Sequence, residues 1–176
     1  LAQPDGFVPQ LQSWLVDQGL AVRLVNAGVS GDTTAGGLAR VGWTLTEEVD
    51  ALIVTLGGND LLRGIDPSVT RANLDGILSA ARDADVDVLL VGMQAPGNFG
   101  PAYKQEFDAI YPELAKTYGA LYAESFFEGF GDAADDPALA RVYMQPDGIH
   151  PNVKGVKRIV EALGPDVAAL IERARD

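Results

Sequence analysis

"ALIVTLGGND", residues 51–60, is almost continuously apolar up to a pair of glycines and then ends on a carboxamide and a carboxylate. An unbroken apolar run, as opposed to polar alternation, is what a strand covered on both faces of a parallel sheet requires. Working outward, "AVRLVN" (21–26), "DVLLVGMQ" (87–94) and the less apolar "GALYAESF" (119–126) read as companion strands. Amphipathic segments separate them. In "DPSVTRANLDGILSAARDAD" (66–85), Leu74, Ile77, Leu78 and Ala81 fall on one helical face, and Asp66 before Pro67 supplies an N-cap with proline at the first helical position. Further helices are predicted over 7–18, where Val8, Leu11 and Leu15 share a face, over 33–47 and over 101–117. The last segment repeats the pattern twice, with Val156, Ile159, Val160 and Leu163, then Val167, Leu170, Ile171 and Ala174. Gly164-Pro165 lies between, so one kinked helix or two short ones fit. Regular alternation of helix and strand predicts an α/β fold: a doubly wound parallel sheet with helices on both faces, in three layers.

At 176 residues the chain reads most simply as one domain, 1–176, with no repeats, linkers or low-complexity tracts. Its 47% hydrophobic and 22% charged residues are those of a globular chain, not a disordered one. A net charge of -12 with scattered basic residues argues against a nucleic-acid partner. The absence of cysteine removes disulfides, thiolate metal sites and a thiol nucleophile, and leaves the compartment open. No run approaches the roughly 18 apolar residues of a membrane span.

In open α/β sheets the ligand lies beyond the carboxyl ends of the strands, so the loops that follow them carry the chemistry. "GGND" reads either as a turn or as a bend that brings the Asn59 amide to the sheet edge as a donor. In "GVSGDTT" (28–34), Asp32 or Thr33 caps the next helix, or the Gly31 N–H points into a cleft at a helix start. "DGIHPN" (147–152) holds the only histidine, three residues after Asp147. One histidine among scattered carboxylates is a thin metal-ligand set, and neither a metal nor a cofactor is expected. A carboxylate that orients an imidazole, a backbone donor and an amide donor are together the supporting parts of serine-type acyl transfer.

"GVSGDTT", "LGGND" and "DGIHPN", in this order, resemble the second, third and fifth blocks of the SGNH, or GDSL, hydrolases, above all the bacterial arylesterase and acyl-CoA thioesterase/lysophospholipase branch. The resemblance implies a flavodoxin-like fold, an oxyanion hole built from the Gly31 N–H and the Asn59 amide, His150 as general base and Asp147 as its orienting partner. It implies small aryl esters and short to medium acyl esters or thioesters as substrates, with acetylated sugars in related branches. It favours a periplasmic or secreted placement over a cytoplasmic one.

The family's nucleophilic serine belongs to a Gly-Asp-Ser-Leu block that the printed residues do not contain. The opening "LAQPDGF" resembles the stretch after that block, so the expectation is a serine upstream of Leu1, on a first strand. Ser30 is the weak alternative within a site loop; Ser13, Ser68, Ser79 and Ser125 fall on a helix, a helix start, a helix and a strand, and carry no motif. Phe99, Tyr103 and Phe107 either border an acyl or aryl pocket or pack a helix on the sheet. The rival readings are a non-catalytic binding module of the same fold, given the missing serine, and a nucleotide-binding domain, which lacks any glycine-rich fingerprint after a strand.

Overall fold

Three of the four apolar runs form strands in the computed structural model, which describes residues 3–134 and 136–175. They are β1 (Ala51–Val54), β2 (Asp87–Val91) and β3 (Leu121–Ala123), all parallel, in the order β1-β2-β3. Ile53 lies opposite Leu89, and Leu89 opposite Leu121. β2 is the central strand, and Val88 to Val91 are buried without alternation, as a run covered on both faces should be. Leu1 and Ala2 of the opening stretch lie outside the described residues.

By its contacts the chain divides into two compact units, the residues up to Asn26 with Phe126–Ala168, and Ala27–Ser125 with the residues from Ala169 onward. The second unit holds the sheet, together with helices α2 (Thr34–Thr44), α3 (Gly58–Leu62), α4 (Pro67–Asp83) and α5 (Pro101–Tyr118). α4 starts where its sequence says: Asp66 accepts the Ser68 N–H at 2.8 Å, and Pro67 follows. Leu74, Ile77, Leu78 and Ala81 are all buried, in one core with Leu90, Phe107, Ile110, Tyr111 and Leu114. Fully burying a leucine or isoleucine contributes about 1.5–3 kcal/mol, so this face decides where the helix sits.

In the first unit, α1 (Phe7–Asp17) buries Leu11 and Leu15. The last segment is one helix, α7 (Val153–Arg173), which runs through Gly164 and Pro165. Of the two arrangements that fit the sequence, the single helix forms, and its apolar face stays in phase across the Gly-Pro pair: Ile159, Leu163 and Val167 are buried. Gly164 has its own reason to be glycine, since a Cβ there would come within 2.6 Å of the Trp14 ring. A short helix, α6 (Pro137–Ala140), also lies in the first unit, and α7 belongs to it as far as Ala168.

The expected strand over 21–26 is the main correction, for no ladder forms there. A strand exists only when a neighbour's N–H and C=O groups face it, and here a side chain serves instead. The Gln12 carboxamide donates to the Val22 carbonyl at 2.9 Å and accepts the Leu24 N–H at 2.8 Å. One glutamine thus imitates a single rung. The remaining strands are shorter than read; beyond the end of β1, Gly57 takes a left-handed conformation (φ 112°) and α3 begins at Gly58.

Candidate functional site

Asp147 and His150 are brought together by a tight turn. Gly148 takes φ 67°, which a side chain would resist, and lets the chain fold back over Asp147. Its Oδ1 then accepts the backbone N–H groups of Ile149 (2.9 Å) and His150 (3.0 Å), while Oδ2 lies 2.7 Å from His150 Nδ1. Neighbours hold the turn in place. The His150 carbonyl accepts the Gln145 N–H at 2.7 Å, and the Gln145 side chain donates to the Pro151 carbonyl at 3.0 Å. Asn152 donates to the carbonyls of Val142 and Met144, and its Oδ1 accepts the N–H groups of Lys154 and Gly155 at the start of α7.

These contacts set the electrostatics. The backbone N–H of His150 first, then its ring, then the Ile149 N–H, hold the Asp147 carboxyl down to about 2. An ionised Asp147 fixes the proton of the imidazole on Nδ1. That leaves Nε2 as an acceptor on a ring that is 62% exposed. A carboxylate-oriented imidazole with a free Nε2 is equipped to take a proton from a hydroxyl or from water.

In the other unit, the end of β1 and the loop before α2 carry Asn59 and Gly31. Gly57 reverses the chain under Tyr111, whose hydroxyl donates to the Leu56 carbonyl at 2.9 Å, so Asn59 falls in the first turn of α3. The Asn59 amide is half-buried and makes no hydrogen bond within the described residues. Gly31 (φ 77°) also has an N–H without a partner among the described residues, while its carbonyl accepts from Arg63 at 2.9 Å. Arg40 braces the same loop through Asp32 (2.7 Å) and the Ala27 carbonyl. Thr33, not Asp32, is the N-cap of α2. The structure therefore gathers Asp147 with His150, and ties the loop of Gly31 to the turn of Asn59.

Among the other residues singled out from sequence, Ser30 is exposed beside Gly31, Ser13 lies on α1, Ser68 and Ser79 lie on α4, and Ser125 follows β3 instead of standing in it. Of the aromatic trio, Phe107 is fully buried and Tyr103 donates to the Ile65 carbonyl at 2.8 Å, so both pack α5. Phe99 is the most exposed of the three, at 42%, and Tyr103 is half-buried. Sequence reasoning missed Asp60, a carboxylate with no solvent exposure that binds Thr34 and Thr70. No local spacing signals it, because its partners lie 26 and 10 residues away. Among the described residues no group of three His, Asp or Glu is placed to hold a metal ion.

Residues 2–158 match the model of the GDSL-like Lipase/Acylhydrolase family. Esterase TesA of Pseudomonas aeruginosa is 41% identical over 168 residues, covering 95% of this chain and 80% of that protein. Thioesterase 1/protease 1/lysophospholipase L1 of Escherichia coli (strain K12) is 40% identical over 130 residues, 73% of this chain and 59% of that protein. The crystal structure of TesA superposes with a TM-score of 0.85 at 38% identity, over 97% of this chain and 91% of that one. The parallel α/β architecture is thus that of solved SGNH esterases.

Proposed function

The chain belongs to the GDSL-like lipase/acylhydrolase family and is an ester hydrolase; from that premise we propose that His150 is its general base and that the substrates are small aryl esters and short to medium acyl esters or thioesters. The observation that carries the reading is the 2.7 Å contact of Asp147 Oδ2 with His150 Nδ1, on a turn that leaves Nε2 without a partner among the described residues. In the proposed reaction the family's serine attacks the acyl carbon while Nε2 takes its proton. The oxyanion is held by the N–H of Gly31, the amide of Asn59 and the N–H of the serine. The tetrahedral species expels an alcohol or thiol that leaves with the proton from His150. Water, deprotonated by the same nitrogen, then cleaves the acyl-enzyme. Proton transfer by a positioned base contributes roughly 10²- to 10⁴-fold.

The test uses the full-length gene product, treated with a fluorophosphonate and read by intact mass and peptide mapping. The expected result is one adduct on a serine N-terminal to Leu1, lost together with esterase activity in His150→Ala. An adduct on Ser30 would reassign the nucleophile. No adduct, with that serine present, would favour a binding module.

A further inference from the structure

Asp60 is the residue that the proposed chemistry does not use and that the fold has least reason to bury. Its carboxylate is inaccessible to water, and among the described residues no cation faces it: Oδ2 accepts the Thr34 N–H at 2.9 Å, and Oδ1 accepts the hydroxyls of Thr34 and Thr70, the latter at 3.2 Å. Burying a carboxylate without a cation is unfavourable unless hydrogen bonds replace its hydration. An apolar side chain would pack the site at lower cost. What the carboxylate adds is direction.

The direction is set by one more residue. Asn73 donates through Nδ2 to the Thr34 hydroxyl oxygen at 3.0 Å, which obliges the single hydroxyl proton of Thr34 to point at Asp60. Asp60 must therefore accept from the hydroxyl and from the amide of Thr34 at once, as a carboxylate can and a carboxamide cannot. Asp60 directly follows Asn59, and Thr34 lies three residues after Gly31. The network ties together the two segments whose donors, on the reading above, hold the oxyanion. It also gives the start of α2 an acceptor for one of its unpaired N–H groups.

We infer that Asp60 is a positioning residue for ester hydrolysis, holding the Gly31 and Asn59 donors in register through the buried Thr34, Thr70 and Asn73 network. This inference rests on the proposed roles of Gly31 and Asn59. Donors that stabilise a transition state must be held within about 0.5 Å, and a misplacement of about 1 Å costs on the order of 10²-fold. Loss of the network therefore lowers kcat and leaves KM little changed.

The test compares four proteins in the full-length enzyme: wild type, Asp60→Asn, Asn73→Asp and the double variant, each with kcat expressed per fluorophosphonate-titrated serine and with its melting temperature recorded. Asp60→Asn is nearly isosteric but sets a donor against a donor, and is expected to lower kcat about 10- to 100-fold with KM within roughly threefold. Adding Asn73→Asp reverses the polarity of the network. The carboxamide introduced at position 60 then donates to the Thr34 oxygen and accepts the Thr34 N–H, while the carboxylate introduced at position 73 accepts the hydroxyl proton. The double variant is expected to recover to within about fivefold of wild type, a rescue that simple loss of structure does not give. A falling melting temperature at unchanged kcat per site would make Asp60 purely structural, and a double variant no faster than Asp60→Asn would overturn the polarity argument. Should Asp60→Asn fail to fold, Thr34→Val, which keeps the Thr34 N–H but removes the hydroxyl, carries the same expectation of about a tenfold loss in kcat, and no loss overturns the proposal. A wild type that hydrolyses no ester, or His150→Ala at wild-type rate, removes the underlying reading first and this inference with it.

Discussion

At the scale of single residues, the roles assigned to Asn59, His150 and Asp147 separate in kinetics. Asn59→Ala removes a donor that acts on the oxyanion and not on the bound ester, so kcat should fall about 10²- to 10³-fold, or on the order of 2.7–4 kcal/mol, with KM nearly constant. Steady-state kinetics on an aryl ester checks this, and an unchanged kcat removes Asn59 from the mechanism. His150→Ala should cost more, because the chain has no second histidine to stand in for it. Asp147 has a depressed carboxyl, so the sign of its pH dependence is fixed: what it contributes to the turn is complete above the ordinary carboxylate value of about 4 and is lost as pH falls through about 2. The amide resonances of Ile149 and His150, which report its Oδ1, should titrate near pH 2; a midpoint near 4 would mean the turn does not hold in solution. Over the working pH range Asp147 is therefore always charged, and its carboxyl should contribute no limb to the kcat/KM profile there.

At the scale of elements, the turn from β1 into α3 depends on one contact. Gly57 at φ 112° has no room for a side chain, since a Cβ would come 2.0 Å from the Tyr111 hydroxyl and 3.3 Å from its Cζ. Gly57→Ala should destabilise by about 2–4 kcal/mol, combining backbone strain with loss of the Tyr111 bond to Leu56. In a Tyr111→Phe background the hydroxyl clash is gone and the same substitution should cost clearly less; equal costs by urea denaturation in both backgrounds would place the strain elsewhere. This turn also marks what a sequence shows and what it hides. The cap and stripe of α4 are local, so Asp66, Pro67 and Leu74 announce them. The stretch 21–26 has a strand's composition, yet pairing is decided by a neighbour, and Gln12 supplies the contact instead. Gly164-Pro165 leaves one helix or two open in the sequence, and the stripe of Ile159, Leu163 and Val167 carries a single helix past it. In the site, Asp147 and His150 were legible because their contact spans three residues. Asp60 was not, because a network reaching from Thr34 to Asn73 leaves no spacing to read.

At the scale of the whole molecule, the printed residues carry a net charge of -12, which bears on substrate encounter and not on fold. A neutral aryl ester feels little of that field. An acyl thioester on an anionic carrier such as coenzyme A is repelled by it at long range, over a Debye length of about 30 Å at 0.01 M ionic strength and about 8 Å at 0.15 M. Raising salt between these limits should therefore raise kcat/KM for the anionic thioester several-fold, through association, and leave kcat for the same substrate unchanged. The neutral ester serves as the internal control. If both substrates gain equally, salt is acting on the protein, and if neither does, the charge lies too far from the route of approach to matter. A gain confined to the anion would mean that the acidic surface disfavours carrier-bound thioesters at low ionic strength, and that neutral esters are the substrates this chain meets most readily.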